Sequence, residues 1–254
     1  MDKLVYTSLV SVNQARIERE MITNEIANIA TVGFKRSFEN AMVAGKTSGP
    51  GYDSRYKPMN VAYDLVEMDP GARVYSGRQT DIFLNDASVL GVKADDGTTA
   101  YTRRGDLRVS GTGVLQTGNG KPVVTENGDV ITCPLGLEIS ITKEGDVMAR
   151  DITGAAPDVL VARMELKEAS KTTMVRREDG LFRSQDTDDQ GNSIFSGSDV
   201  IPTVSPGFTE ASNSQPIGAL VAFMDIARSF EMQLKIVKEM KDLSANGAQL
   251  MKAQ

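Results

Sequence analysis

The segment from Asp186 to Gly197 has residue types that are typical of a calcium-binding loop. Oxygen-bearing side chains lie at its first, third and fifth positions, on Asp186, Asp188 and Gln190, and Gly191 takes the sixth. The bidentate glutamate that such a loop needs at its twelfth position is missing, because Gly197 stands there. The sequence therefore predicts an acidic surface turn at this segment rather than a metal site.

The usual residues of nucleophilic and acid–base catalysis are sparse in this chain. There is no histidine, which removes the commonest general base and the commonest metal ligand. The single cysteine, Cys133, precedes Pro134 and is expected to be a small apolar core residue rather than a reactive thiol. Asp95 and Asp96 stand before Gly97 as turn residues rather than as a catalytic pair. We expect no enzyme activity, no cofactor, no metal and no small-molecule substrate.

Two small groups of arginines are the candidates for an anion site. They are Arg103 and Arg104 with Arg108, and Arg176 with Arg177. Solvated strand edges explain both groups more simply. The net charge is −6, from 34 acidic and 28 basic residues, which argues against a nucleic acid partner.

The elements that would position such residues begin with a helix. Residues 1–30 contain no glycine or proline, and their apolar residues recur at helical spacing. The stripe consists of Val5, Leu9, Val12, Ile22, Ile26 and Ile29. We expect an N-terminal assembly helix within residues 1–35.

The opposite end of the chain has a second stripe. It begins after Pro216 and follows a heptad-like spacing. Its members are Leu220, Phe223, Phe230, Leu234 and Val237. We expect residues 206–254 to form a C-terminal assembly helix.

The region between the two stripes divides in two. Residues 36–75 hold many glycines and prolines, which predict an extended connector with a short helix near residues 37–44. Residues 76–205 alternate short β-branched runs with hairpin signals at Asp96-Gly97, Asn119-Gly120 and Asn127-Gly128. They predict a central β-domain, a sandwich or a distorted barrel, in a chain that is mainly β with long terminal helices.

Long helices with one apolar stripe need something to cover them. An isolated helix is marginal in water, because ordering its backbone costs more free energy than its own hydrogen bonds return. The two stripes could cover each other as a helical hairpin on one monomer, or they could pack against copies of the chain. Packing against copies buries more apolar surface, so this layout is typical of a polymerising subunit, with a helical hairpin on one monomer as the alternative.

Three stretches resemble the flagellar rod and hook family of axial proteins. The first is a helix end of the form A-N-x-x-T-x-G-F-K, and the second, within residues 95–124, has the form D-G-x-x-x-Y-T-R-x-G. The third, within residues 206–240, opens with a Gly-hydrophobic-x-E-x-S-N run. The first motif is carried by Ala27, Asn28, Thr31, Gly33, Phe34 and Lys35, and the third includes Ser212 and Asn213.

Within that family, two segments look most like the proximal-rod members. They are ARSFEMQLKIVKEM at residues 227–240 and REDGLFRS at residues 177–184. A distal-rod or other axial subunit of the same family is the alternative. A remote alternative is a carbohydrate-binding or adhesin-like β-module on a helical stalk. Such a module would present exposed aromatic side chains, and the sequence has no tryptophan.

The resemblance implies a function and a location. It implies a structural subunit of the rod that crosses the periplasm and transmits torque from motor to hook. Its partners would be copies of itself, neighbouring rod subunits and the flagellar type III export apparatus. The N-terminus does not read as a cleaved signal peptide, and no stretch is long and apolar enough to be membrane-embedded. The resemblance further implies that the terminal helices pair as a coiled-coil-like inner layer, with the β-domain outside and the two stripes as assembly interface.

Overall fold

The computed structural model describes residues 2–47, 55–151, 157–188, 191–198 and 200–252. Within these ranges it describes all side chains except those of residues 2–11, 38–47, 55–63, 240 and 244–252. The predicted stripe residues Val5 and Leu9 therefore lie outside the described side chains. The described chain is mainly β, with one helix near each end.

The helices are α1 (Asp2–Ala27) and α2 (Pro216–Lys252). The sixteen strands of the described residues are β1 (Ser37–Thr47), β2 (Arg55–Val66), β3 (Arg73–Tyr75), β4 (Ile82–Leu84), β5 (Ser88–Lys93), β6 (Thr99–Thr102), β7 (Leu107–Val109), β8 (Leu115–Thr117), β9 (Glu138–Ile141), β10 (Asp146–Arg150), β11 (Val159–Arg163), β12 (Leu166–Glu168), β13 (Met174–Arg176), β14 (Phe182–Ser184), β15 (Val204–Pro206) and β16 (Phe208–Glu210). None of the described helices is long and apolar enough to cross a lipid bilayer.

The chain divides into two compact units. The first consists of Met1–Ala27, Glu39–Tyr63 and Gln215–Gln254, and the second of Asn28–Phe38 and Asp64–Ser214. Each unit is therefore assembled from segments that are far apart in the sequence.

Both helices of the first unit form for local reasons. Helix α1 contains no glycine or proline, and Gln14 donates to Glu18 one turn later at 3.1 Å. Helix α2 begins at Pro216, whose missing N–H costs nothing at that position. The two helices touch where the Arg19 guanidinium lies 5.8 Å from the Phe230 ring centroid.

The predicted coiled-coil-like inner layer with a β-sandwich or barrel outside it is wrong. A coiled coil requires the stripe residues of each helix to be buried in the other. Leu220, Leu234 and Val237 are instead exposed, and the described helical side chains that are buried are Ala15 and Ala219. The β-strands are divided among one seven-stranded sheet and four smaller sheets.

The segment predicted as an extended connector holds the two longest strands, β1 and β2. The short helix expected near residues 37–44 is wrong, because β1 occupies these positions. The last residues of β2 belong to the second unit, where Leu65 pairs with Val175 of β13. Breakers such as Gly45 and Pro58 therefore lie inside strands rather than between elements.

The second unit has a continuous apolar core. It lies under β4, β5, β6 and the hairpins that follow them, and β5 pairs with β6 and β12 on either side. Its fully buried members include Ile82, Leu84, Leu90, Val92, Leu107, Leu115, Val123, Val147 and Val204. A second buried cluster surrounds Val89, Tyr101 and Phe182.

Local predictions within this unit are confirmed. Gly97, Gly120 and Gly128 adopt positive φ angles of 82°, 85° and 83° in tight turns, as the hairpin signals require. Cys133 is buried among apolar side chains, and burial raises the pKa of its thiol. In the segment predicted as an acidic turn, the Asp188 N–H donates to the Asn192 carbonyl at 3.0 Å, and Gln190 lies outside the described residues.

Candidate functional site

A buried group of three charged side chains lies inside the second unit. The Lys35 ammonium donates to Glu210 Oε1 at 2.5 Å, and the Arg103 Nε donates to Glu210 Oε2 at 2.8 Å. All three side chains have zero exposure. We call Lys35, Arg103 and Glu210 the buried triad.

The remaining polar atoms of the triad are satisfied by backbone groups. Lys35 also donates to the carbonyl of Asp69 at 2.5 Å, and Glu210 Oε1 accepts the N–H of Gly71 at 2.7 Å. The Arg103 guanidinium donates to three further carbonyl oxygens, those of Leu84, Asp86 and Ser88, at 2.6–2.9 Å. Buried charges are tolerated when they are paired and fully hydrogen-bonded in this way.

The charge balance of the triad is uneven, with two cations and one carboxylate. Desolvation lowers the pKa of Lys35 from 10.5 to about 8, with repulsion from Arg103 adding to the decrease. The attraction and hydrogen bond of Glu210 act in the opposite direction and hold the pKa from falling further. The carboxylate of Glu210 is therefore what makes the burial of two neighbouring cations possible.

The three members come from the three stretches that carried the family resemblance. Lys35 ends the A-N-x-x-T-x-G-F-K motif, Arg103 is the arginine of D-G-x-x-x-Y-T-R-x-G, and Glu210 is the glutamate of the C-terminal lead-in. The shortest separation to Glu210 is 107 positions, from Arg103. Motifs that are distant in the sequence are thus spatial neighbours.

The turn after α1 aims Lys35 into this site. Gly33 has φ of +66°, its N–H donates to the Glu210 carbonyl at 2.8 Å, and a Cβ there would lie 2.4 Å from the Arg103 carbonyl oxygen. Only glycine fits both the backbone angle and the close approach. Just before Gly33 in the chain, the Thr31 hydroxyl donates to Asn28 Oδ1 at 3.1 Å and stabilises the same turn.

Asn213 fixes the backbone on the other side of the same segment. Its Oδ1 accepts the N–H of Arg36 at 2.7 Å, and its Nδ2 donates to the Glu67 carbonyl at 3.2 Å. The Asn213 N–H donates to the Phe34 carbonyl at 3.3 Å. Next to it, Ser212 donates to Ser214 at 2.8 Å in the turn that precedes α2.

Phe34 and Arg176 form a half-buried stack beside the triad. The Arg176 guanidinium lies 4.7 Å from the Phe34 ring centroid, and its Nη2 donates to the Lys35 carbonyl. The motif residue Ala27 is the exposed last residue of α1. The structure thus brings together Gly33, Phe34, Lys35 and Asn213 within the second unit, whereas Ala27 belongs to the first.

The prediction of solvated arginines is wrong at Arg103, which is fully buried. It holds for Arg108, which is exposed, whereas Arg104 is half-buried and paired with Asp106 at 2.6 Å. Arg177 pairs with Asp96 at 2.7 Å. The sequence did not predict a role for Glu210 either. The signal available for it was its position in the Gly-hydrophobic-x-E-x-S-N run.

The predicted stripe residues have mixed environments. Half-buried are Val12, Ile22, Ile26, Ile29, Phe223 and Phe230, and exposed are Leu220, Leu234 and Val237. Their role in assembly stays a prediction.

Two family models match this chain. Residues 88–149 match the "Flagellar hook protein FlgE/F/G D1 domain", and residues 205–250 match the "Flagellar basal body rod FlgEFG protein C-terminal". Arg103 lies within the first match, and Glu210, Ser212 and Asn213 lie within the second.

Curated relatives extend the similarity to nearly the whole chain. The flagellar basal-body rod protein FlgF of Salmonella typhimurium is 31% identical over 99% of both chains, and that of Escherichia coli is 30% identical over 99% of both. The flagellar basal-body rod protein FlgG of Bacillus subtilis is 28% identical over 62% of this chain and 64% of its own. Because two relatives reach 30% identity at full coverage, the chain belongs to the flagellar basal-body rod protein family and is FlgF-like.

Proposed function

We propose that this chain is a structural subunit of the proximal part of the flagellar basal-body rod, and that it polymerises through its terminal helices into the shaft that transmits torque to the hook. The observation that carries the proposal is the exposed apolar surface of α2, in a chain that aligns over its whole length with FlgF proteins.

The apolar surface of α2 runs along much of the helix. Its members include Leu220, Val221, Met224, Met232, Leu234 and Ile236, whose exposures range from 48% to 62%. Complete burial of a large apolar side chain in an interface contributes about 1.5–3 kcal/mol of free energy. Exposed apolar side chains that lie along one element are typical of an interaction site, and a neighbouring rod subunit is the partner that the family provides.

The proximal part of the rod is favoured over the distal part by identity and coverage together. The FlgF relatives of Salmonella typhimurium and Escherichia coli are 31% and 30% identical over 99% of this chain, whereas the FlgG relatives are 23–28% identical over 62–92% of it. A carbohydrate-binding surface would require exposed aromatic side chains. Among the side chains that the structure describes, Tyr75 is the one strongly exposed aromatic, at 72%.

The partners follow from the same proposal. They are copies of this chain, adjoining rod subunits and the flagellar type III export apparatus, which would deliver the chain to the periplasm. Family membership supports the rod subunits as partners. The resemblance alone supports the export apparatus and the absence of catalytic activity.

Complementation tests the proposal. A Salmonella typhimurium strain that lacks its own FlgF would express this chain, and its basal bodies would be isolated and probed for the chain. We expect the chain in the rod fraction and partial or full recovery of swimming in soft agar. A chain that is produced and stable, but is absent from basal bodies and leaves the strain non-motile, would contradict the proposal; the Salmonella FlgF expressed from the same plasmid is the control.

A further inference from the structure

The buried triad is incomplete until the last third of the chain has joined it. Lys35 and Arg103 precede Glu210 by 175 and 107 positions, so a growing chain contains both cations long before it contains the carboxylate. Glu210 is the side chain that hydrogen-bonds both of them, and the exposed carboxylate of Asp69 adds a weaker attraction to Lys35. A chain without Glu210 would have to bury two neighbouring cations without their shared counter-ion.

That burial is very unfavourable. The penalty for an uncompensated buried charge is a large fraction of the whole stability of a domain of this size. Backbone carbonyls satisfy the donors of Arg103, but they do not neutralise its charge or that of Lys35. The native packing around the two cations therefore depends on Glu210.

The segment that carries Glu210 also closes the backbone of the second unit. The N–H groups of Gly33 and Gly71 both donate to Glu210, the first to its carbonyl and the second to its carboxylate. Six residues before it, Val204 of β15 is fully buried and pairs with Leu84 of β4. Residues 204–213 thus contact both the N-terminal segment and the core strands. They also supply the carboxylate that is the counter-ion of the two buried cations.

We infer that Glu210 is a folding gate: the second unit cannot close its core around Lys35 and Arg103 until residues 204–213 arrive, so a chain under synthesis stays non-native until nearly all of it exists. If the proposed function is correct, this delay keeps the subunit unfolded for passage through a narrow export channel. The gate itself is a property of the isolated chain and does not depend on that function.

Pulse-labelling hydrogen exchange during refolding of the full chain tests the gate. The reporters of gate closure are the amides of Gly33 and Gly71, which donate to Glu210. The reporters of the remote core are Leu115 and Ile131, whose amides bond to the Ile131 and Val123 carbonyls. The gate predicts one shared phase, with rate constants that agree within about twofold, as for two-state folding. Protection of Leu115 and Ile131 in an earlier phase than Gly33 and Gly71 would overturn it.

Charge variants separate the carboxylate from general damage to the core. Glu210→Gln keeps the shape but leaves two buried cations, and it should lower the folded population or the refolding rate by about 100-fold or more. The double variant Lys35→Met/Glu210→Gln removes one of these cations and should recover about tenfold of that loss. Glu168→Gln is the matched control, because Glu168 is buried but accepts from Ser88 and Ser170 rather than from a cation.

Two results would overturn the gate in this series. One is a Glu210→Gln chain that refolds like the wild type. The other is a Glu210→Gln chain that does not fold and is not improved by Lys35→Met, since the charge would then not be the cause. Failure of the rod assignment would appear only in the complementation experiment and would leave these rates unchanged.

Discussion

Arg103 and Glu210 are separated by 107 positions in the chain, yet their side chains meet at 2.8 Å with no exposure to solvent. The contact links the central hairpin region to the segment that leads into the C-terminal helix, and Lys35 adds the N-terminal segment to it. The three motifs that carry the resemblance to the family are therefore also joined inside the second unit by one buried group of charges.

Removing the shared carboxylate should destabilise the isolated subunit strongly. Glu210→Gln leaves Lys35 and Arg103 buried without a counter-ion, and breaking such a pair costs about 3–5 kcal/mol. Urea denaturation followed by circular dichroism measures the loss. The control Glu168→Gln should cost about 1 kcal/mol, because hydrogen bonds from two neutral donors are weakened while no buried cation loses its partner. Equal losses in the two variants would contradict the special role of the triad.

The lowered pKa of Lys35 predicts a particular dependence of stability on pH. The unfolded lysine titrates near 10.5 and the folded one near 8, so between these values the unfolded state binds more protons. Stability due to Lys35 therefore rises as pH increases from about 8 to 10.5, by on the order of 3 kcal/mol.

Comparison with Lys35→Met isolates that contribution, because the other titrating groups are common to both proteins. The free energy of unfolding of the wild type minus that of the variant should increase with pH across this window and level off below pH 8. A difference that is flat, or that falls with pH, would show that the lysine is not desolvated in the folded state.

Gly33 should tolerate no side chain. In Gly33→Ala the new Cβ meets both a φ of +66° and the Arg103 carbonyl oxygen at 2.4 Å, which is far inside van der Waals contact. Gly97→Ala is the matched control, since its φ is +82° and nothing lies within 4 Å of the added methyl group. We expect Gly97→Ala to cost about 1–2 kcal/mol for the backbone angle alone, and Gly33→Ala to cost clearly more in thermal melts. Equal costs would mean that the close approach is unimportant.

A charge on the exposed face of α2 should block assembly without unfolding the subunit. Leu234 is 48% exposed, so an aspartate at this position would remain solvated in the free chain, and its melting temperature should change little. In the complemented strain it should abolish swimming, whereas Leu234→Met, which keeps the face apolar, should swim like the wild type. A fully motile Leu234→Asp strain would count against this face as an assembly surface.

Sequence periodicity was sufficient to locate elements with strong local signals. The absence of glycine and proline placed α1, Pro216 marked the start of α2, and the turn glycines Gly97 and Gly120 marked hairpins. These signals succeed because they depend on backbone angles and on nearest neighbours along the chain.

Long-range relationships were not visible in the same way. A buried charge such as Arg103 looks like a surface charge when its counter-ion is 107 positions away. The short helix expected near residues 37–44 is wrong, and strands β1 and β2 accommodate Gly45 and Pro58, because a local breaker signal does not show which strand a segment pairs with. Periodicity at Leu220 and Leu234 indicated an apolar helix face, but it could not tell a face that is covered within the subunit from one that is exposed in it.

The most direct test of assembly through the terminal helices is oxidative footprinting of methionines in the free subunit and in basal bodies from the complemented strain. Met224 and Met232 on α2 are 53% and 62% exposed, whereas Met164 in the core is 1% exposed and serves as the internal reference. If α2 is an assembly surface, Met224 and Met232 oxidise readily in the free subunit and become protected in the rod, while Met164 is protected in both. If Met224 and Met232 oxidise equally fast in the two samples, α2 remains uncovered in the rod and the subunit assembles through another surface.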